Sequence, residues 1–147
     1  MENKETLFAQ NAAKNYVVCY NDQCPLHEQC LRYDAGQFKT ASSLIIRTVN
    51  PNHKLVAANN CPMFRDNRPQ RMVVGMKKHF YRDMPARIAT SIKARLIDHN
   101  CRSTYYQYHN GKRPITPDLL AFIKQVCREE GWTQPLVFDG ETEGYAW

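Results

Sequence analysis

The stretch Arg102-Ser-Thr-Tyr-Tyr-Gln-Tyr-His-Asn-Gly-Lys-Arg113, followed at once by Pro114-Ile-Thr-Pro-Asp118, has a local structural meaning in each of its parts. Asn110-Gly111 tolerates positive φ, which is how helices often stop. Thr116-Pro117-Asp118 supplies an N-cap residue, a proline suited to the first helical position and an acid that complements the positive helix end. We therefore expect a short helix, a tight turn and a second helix that ends at Gly131.

The first helix is predicted to have two chemically different sides. Tyr105 and Tyr108, at i and i+3, share one side, and polar side chains occupy the other. We expect the tyrosines to anchor the helix and the polar side to meet a ligand, with two cations on the following turn. The residues predicted to bind nucleic acid are Arg102, Ser103, Thr104, Gln107, Lys112 and Arg113.

The stretch from Cys101 to about Gly131 resembles the recognition helix and following helix of phage-repressor-type helix-turn-helix domains. The resemblance implies that Cys101 is the N-cap, that the polar residues face the major groove and that the turn cations lie by phosphates. The preceding helix fits less well, because Ala94 takes the place of the small residue only if the Asp98-His99-Asn100 turn is one residue longer than usual. The alternative is two core helices joined by a glycine turn.

Positive charge is concentrated in the middle of the chain. Residues 61–113 carry twelve basic and three acidic side chains, whereas residues 114–147 carry two and six. Such a field suits a polyanion, and exposed tyrosines can stack on unpaired bases. We predict nucleic-acid binding, to DNA, through residues 61–113, with docking on an acidic protein partner as the alternative. The tyrosines that interleave with these charges are Tyr81, Tyr105, Tyr106 and Tyr108.

The six cysteines provide a second group of candidate site residues. Four of them can close a tetrahedral structural zinc site, with His27 as a substitute ligand. An iron–sulfur cluster ranks below zinc, and reduced thiols packed as small apolar groups, with no cofactor, are the alternative. Cys101 and Cys127 are expected to be buried thiols on helices. The predicted ligands are Cys19, Cys24 and Cys30, spaced as Cys-x4-Cys-x5-Cys, and Cys61 in Asn-Asn-Cys-Pro.

Length and composition favour one folded domain, since the chain has 147 residues, 43% hydrophobic content and no repeat. The predicted class is α+β, with a cysteine-bearing α/β subregion (1–68), a basic helical subregion (69–131) and an extended tail or hairpin (132–147). The first subregion would carry a short antiparallel sheet, and the second a helical bundle.

Patterns of apolar residues predict the individual elements. The predicted helices span residues 4–14 and 25–33, the latter capped by Asp22 and closed by Gly36, and begin at Pro69, Pro85 and Pro117. The predicted strands are 16–20 and 43–49, the latter paired with 55–58, and residues 136–138 and 145–147 form either a hairpin or an extended tail.

No export signal precedes the first predicted helix, and the longest apolar run, near Leu44-Ile45-Ile46, is too short to span a bilayer. We expect a cytoplasmic protein with no membrane partner. The five histidines are scattered, and nucleophile elbows, phosphate loops and paired catalytic carboxylates are missing from the sequence. We therefore predict that the protein is not an enzyme.

Most of the chain resembles a family of small bacterial cytoplasmic proteins of unknown function with an N-terminal cysteine cluster. The resemblance implies no activity. The residues that carry it are Cys19-Tyr-Asn-Asp-Gln-Cys-Pro25, Cys30-Leu-Arg32, Cys61, Met72 to Lys78, Tyr105 to His109, Gly111-Lys112, Thr116-Pro117 and Phe138-Asp-Gly140.

Overall fold

The computed structural model describes residues 16–39 and 44–147, and these residues form two compact units. The cysteine unit comprises the described residues up to Pro69 together with Tyr145–Trp147, and the basic unit comprises Gln70–Gly144. The division after Pro69 lies one residue from the predicted boundary between the cysteine-bearing and basic subregions. That the whole chain acts as one domain stays a prediction.

The described part of the cysteine unit contains three short helical segments. A short 3-10 helix spans His27–Gln29, helix α1 spans Leu31–Lys39 and helix α2 spans Lys54–Ala57. Single bridges join Val18 to Thr48 and Cys30 to Asp66. Among the described residues, its buried apolar cluster consists of Val18, Leu31 and Ala35, with Tyr16, Ile46, Tyr145 and Trp147 packed against it.

The sheet predicted for this unit is wrong. Of residues 44–49, Thr48 alone is bridge-paired, and residues 54–57 form α2, whose N-terminal Leu55 N–H is capped at 3.2 Å by His53 Nδ1. The helix predicted over 25–33 is displaced, because Cys30 enters a bridge and α1 begins only at Leu31, which places Gly36 inside it. Residues 4–14 lie outside the described residues.

The basic unit combines one sheet with three helices. Its elements are strand β1 (Gln70–Val74), helix α3 (Ala86–Asn100), helix α4 (Arg102–His109), helix α5 (Pro117–Glu129) and strand β2 (Gly140–Gly144). β1 and β2 pair antiparallel, with Met72 opposite Thr142, and Val73 also bridges to Ile115. The mixed α+β class is therefore confirmed, but the sheet lies in residues 70–74 and 140–144 rather than near the N-terminus.

The helix predicted from Pro69 and one of the two structures predicted for the tail differ from the observed structure. Met72, Met76 and Phe80 have helical spacing and are all buried, but they belong to a strand followed by turns. Gly75 lies between them at φ 79°, a left-handed conformation that interrupts any regular element. Of the two alternatives predicted for residues 132–147, the hairpin of 136–138 with 145–147 does not form, and residues 140–144 instead pair as β2 with the distant β1.

The three helices agree with the sequence patterns. α3 begins directly after Pro85, and Thr116 Oγ1 accepts a 3.3 Å hydrogen bond from Leu119 N–H at the start of α5. Gly111, at φ 74°, forms the turn after α4. Twelve buried residues make one core in this unit, including Tyr105, whose hydroxyl lies 2.9 Å from that of Tyr81. Within residues 16–39 and 44–147, no helix combines the length and apolar character needed to cross a membrane.

Candidate nucleic-acid interface and thiol cavity

α4 follows α3 almost without interruption. α3 continues through Asn100, and Cys101 alone joins the two helices, at φ 63° and ψ 159°. Residues 98–100, predicted to form a turn, are therefore helical. A helix-turn-helix motif needs a turn of three or four residues at this point, so its geometry is not present here.

The two sides of α4 differ in exposure as predicted. Tyr105 and Tyr108 are buried, whereas Arg102, Ser103 and Gln107 are exposed. Thr104 departs from the prediction, because it is half-buried and its Oγ1 lies 3.3 Å from Cys101 Sγ. Burial also corrects one expectation: Tyr105 and Tyr108 cannot stack on bases.

Cations lie against the aromatic rings of this region. Lys93 Nζ of α3 is 5.4 Å from the ring centroid of Tyr106, and Arg102 Cζ is 5.7 Å from it. Arg113 Cζ is 5.3 Å from the ring centroid of Tyr108. Each such contact contributes about 0.5–1 kcal/mol at an exposed site and restricts the side chain. The rings therefore hold cations from three chain segments in place.

The turn after α4 is fixed to the end of the helix. Lys112 and Arg113 both donate backbone N–H groups to Gln107 O, at 2.9 and 3.2 Å. Their side chains are exposed. The accessible cations of this region and the polar and aromatic side chains beside them form the α4 surface, which comprises Lys93, Arg102, Ser103, Tyr106, Gln107, Lys112 and Arg113.

Other cations of the predicted basic segment are neutralised. Arg71 pairs with Glu141 at 2.9 Å, Arg95 with Glu129 at 2.5 Å, and Arg82 with Asp83 at 3.8 Å. Among residues 16–39 and 44–147, no carboxylate is within salt-bridge distance of the four cations of the α4 surface. Part of the positive charge predicted for residues 61–113 is thus paired with acids, whereas the four cations of the α4 surface are not.

Cys101 is exposed, contrary to the prediction that it is a buried thiol. Hydrogen bonds with Thr104, and then with Ser103, lower the pKa of its thiol to about 7. Cys127 is buried as predicted, and desolvation raises the pKa of its thiol to about 11. The two thiols of the basic unit therefore differ strongly in chemical availability.

The four cysteines predicted as metal ligands line one cavity of about 30 Å³ in the cysteine unit. His27 and Arg32 also line it. Burial raises the pKa of the Cys19 thiol, and nearby Cys30, Cys24 and Cys61 act in the same direction, against a hydrogen bond from Asn21 N–H. The sequence thus identified residues that fold to a common place, although Cys61 lies far from the others along the chain.

The side chains around this cavity are not arranged as a finished coordination shell. Within the described parts of the chain, no three Cys, His, Asp or Glu side chains are grouped closely enough to hold a metal ion. The cavity is instead bounded by free thiols and apolar groups.

A cleft of about 450 Å³ in the basic unit was not predicted from the sequence. α5 contributes Lys124 and Arg128, at i and i+4, and the following segment contributes Trp132 and Phe138. The one sequence signal for this cleft is the spacing of Lys124 and Arg128, which places both cations on the same side of α5. The segment after α5 has no periodic pattern from which its position against the helix could be predicted.

In structural terms, the chain is a mixed α+β protein. It has a thiol-lined cavity in its cysteine unit and a basic surface around α4 in its basic unit. Over residues 1–147 the chain matches the family of unknown function DUF6078, and it belongs to this family. The family description assigns no activity, ligand or motif. No curated protein and no solved structure matches the chain.

Proposed function

We propose that the basic unit binds DNA through the α4 surface. The observation that carries the proposal is the exposure of Arg102, Ser103 and Gln107 on a helix whose opposite side, with Tyr105 and Tyr108, is buried. A helix of eight residues is about 12 Å long and can enter the major groove of a duplex. Arginine and glutamine are the side chains that contact guanine and adenine edges most often.

The charges of the α4 surface support contact with phosphates. Lys93 and Arg102 share the ring of Tyr106, which positions both without neutralising either. Lys112 and Arg113 extend the positive surface beyond the helix end. Cations without carboxylate partners keep their attraction for phosphate, whereas those paired with acids lose most of it.

Fluorescence anisotropy with labelled random duplex and single-stranded oligonucleotides tests the proposal. We expect duplex binding whose affinity falls as salt rises, with a logarithmic slope of about 0.9 for each phosphate contact. Lys112→Ala should weaken all sequences alike and reduce the slope by about 1. The control is Arg71→Ala, because it removes an exposed arginine that is already paired with Glu141. It should bind as the wild type does.

Sequence selection distinguishes base contacts from phosphate contacts. If α4 lies in the groove, Arg102→Ala and Gln107→Ala should relax the preference for the best sequence selected from a random pool. Equal effects of Gln107→Ala and Lys112→Ala on all sequences would mean that no base is contacted. Absence of duplex binding at low salt would overturn the proposal and favour the alternative, an acidic protein partner of a non-catalytic module.

A further inference from the structure

The cavity in the cysteine unit gathers thiols from four separate places. Cys19 follows the Val18 bridge, Cys24 lies in the turn before the 3-10 helix, Cys30 precedes α1 and Cys61 follows α2. All four line the same cavity. The cavity therefore forms only when the segment that carries Cys61 packs beside the segments that carry Cys19, Cys24 and Cys30.

Arg32 holds the two ends of this arrangement together. It is buried, and its Nε donates to Met63 O at 2.7 Å while its Nη1 donates to Val17 O at 2.9 Å. These carbonyls lie two residues from Cys61 and two residues from Cys19 respectively. The Arg32 side chain also lines the cavity.

Further hydrogen bonds match those found around thiolate and imidazole ligands. Asn21 N–H donates to Cys19 Sγ at 3.5 Å, the kind of backbone contact that orients a ligating sulfur. His27 Nδ1 lies 2.7 Å from Cys24 O and must carry the proton, since a carbonyl can only accept. In the neutral ring Nε2 then has the free lone pair, as in ligating histidines held by a backbone carbonyl.

The size of the cavity selects the class of ligand. A volume of about 30 Å³ accommodates one or two water-sized spheres, which suits a single ion. The buried apolar cluster in the described part of the cysteine unit is small, and small folding units commonly depend on a metal or a cross-link.

We propose that the cysteine unit binds one zinc ion through Cys19, Cys24, Cys30 and Cys61. Binding requires the thiol side chains to rotate towards the cavity centre, and each thiol gives its proton to solvent as its Zn–S bond forms. Four thiolates leave no open position, so the ion is structural. The inference concerns the cysteine unit alone and does not depend on DNA binding.

Elemental analysis of protein purified without oxygen is the first test. We expect about one zinc per chain in the wild type, and loss of that zinc in Cys19→Ser and Cys61→Ser. Cys101→Ser is the matched control, since Cys101 lies in the basic unit and outside the cavity. Protein without zinc, protein with iron instead, or zinc lost equally from the control would each overturn the proposal.

A second measurement avoids the risk that serine variants do not fold. Wild-type protein stripped of metal is titrated with Co²⁺, which should produce intense thiolate-to-cobalt charge transfer with saturation at about one equivalent. Alkylation followed by mass spectrometry should show that zinc protects the four cavity cysteines and leaves Cys101 reactive. An absent cobalt spectrum, or disulfides among the four cysteines in freshly prepared protein, would contradict the assignment.

Discussion

The two units of this chain are stabilised in different ways. The basic unit buries twelve residues in one cluster around Tyr105, and its sheet and helices enclose that cluster. In the described part of the cysteine unit, the buried apolar cluster consists of three residues, and the buried Arg32 adds hydrogen bonds from its side chain to the backbone. A large apolar cluster thus stabilises the basic unit, whereas buried polar contacts supplement a smaller cluster in the described part of the cysteine unit.

The two tryptophans of the chain allow the units to be followed separately. Trp132 packs against the core of the basic unit, and Trp147 packs against the cluster of the cysteine unit, 5.2 Å from the ring of Tyr16. In a Trp147→Phe background, fluorescence reports the basic unit, and in a Trp132→Phe background it reports the cysteine unit. The free energy of unfolding can therefore be assigned to one unit or the other.

Removal of metal should produce the largest difference between the units. If zinc is bound as proposed, a chelator should abolish the cooperative transition of Trp147 fluorescence, because structural zinc contributes on the order of 10 kcal/mol in small zinc-dependent folds. The transition of Trp132 should be unchanged. Equal shifts of both transitions, or a shift of neither, would mean that the cysteine unit does not owe its stability to a metal.

Truncation of the core should affect mainly the basic unit. Ile123 is 1% exposed at the centre of the cluster, and Ile123→Ala should lower the free energy of unfolding by about 2–5 kcal/mol. Urea unfolding followed by Trp132 measures this. Val137→Ala is the control, because Val137 is 54% exposed and its truncation should change stability by less than about 0.5 kcal/mol. A small effect of Ile123→Ala would refute the view that this core dominates the unit.

Gly36 provides a test in the cysteine unit. In the middle of a helix, Gly→Ala normally stabilises by about 1 kcal/mol. A Cβ at position 36 would lie 2.7 Å from Cys19 O, however, and a backbone atom cannot move aside as a flexible side chain can. We expect Gly36→Ala to destabilise the unit by about 1–3 kcal/mol, measured by Trp147 fluorescence. Gly140→Ala, where the nearest atom is 3.4 Å away, is the matched substitution in the other unit. A stabilised Gly36→Ala variant would show that α1 does not press on the Cys19 segment.

The same difference between the units explains what could be predicted from the sequence. α3, α4 and α5 have caps, glycine stops and apolar spacing that agree with one another, and all three form as expected. The strand at 70–74 was mistaken for a helix because its partner, 140–144, lies far along the chain and leaves no local pattern. The elements of the cysteine unit were displaced because bridges and side-chain hydrogen bonds, rather than periodic burial, determine where they begin.

The candidate sites could likewise be predicted where a local sequence pattern indicates them, but not where they depend on contacts between distant segments. The exposed side of α4 could be predicted because tyrosine spacing indicates which side is buried. Cys19, Cys24, Cys30 and Cys61 line one cavity, but nothing in the intervening sequence shows that their segments meet, and their role as metal ligands stays a prediction. Pairing of Arg71 and Arg95 with acids could not be predicted, because Glu141 and Glu129 approach them only in the folded unit.

A smaller, pH-dependent effect is expected for Asp139 in the basic unit. Desolvation opposes ionisation, but hydrogen bonds from the N–H groups of Lys78 and Lys77, at 3.0 and 3.1 Å, outweigh it and lower the pKa of this carboxyl. A lowered folded-state pKa adds stability above the unfolded-state pKa of about 3.9, and this stability is lost as pH falls through the folded-state value. Asp139→Ala should therefore cost about 1 kcal/mol at pH 7, measured by Trp132 fluorescence.

The difference between wild type and Asp139→Ala should shrink as pH falls below about 4. Asp83→Ala is the control, because Asp83 is exposed and pairs only loosely with Arg82, at 3.8 Å. A destabilisation by Asp139→Ala that is the same at pH 7 and at low pH would attribute it to packing rather than to the carboxylate.

The last prediction concerns the reactivity of the two cysteines of the basic unit. One thiol is exposed and the other is buried in the core, so their rates of alkylation should differ. Because the pKa of the Cys101 thiol is lowered to about 7, its alkylation by iodoacetamide should reach half its maximal rate near that pH. Cys127, buried and with its pKa raised to about 11, should stay unmodified until the unit unfolds. Mass spectrometry of the native protein measures both. Alkylation of Cys127 at the rate of Cys101 would mean that the core opens readily, and the contrast between a tightly packed basic unit and a thiol-dependent cysteine unit would then fail.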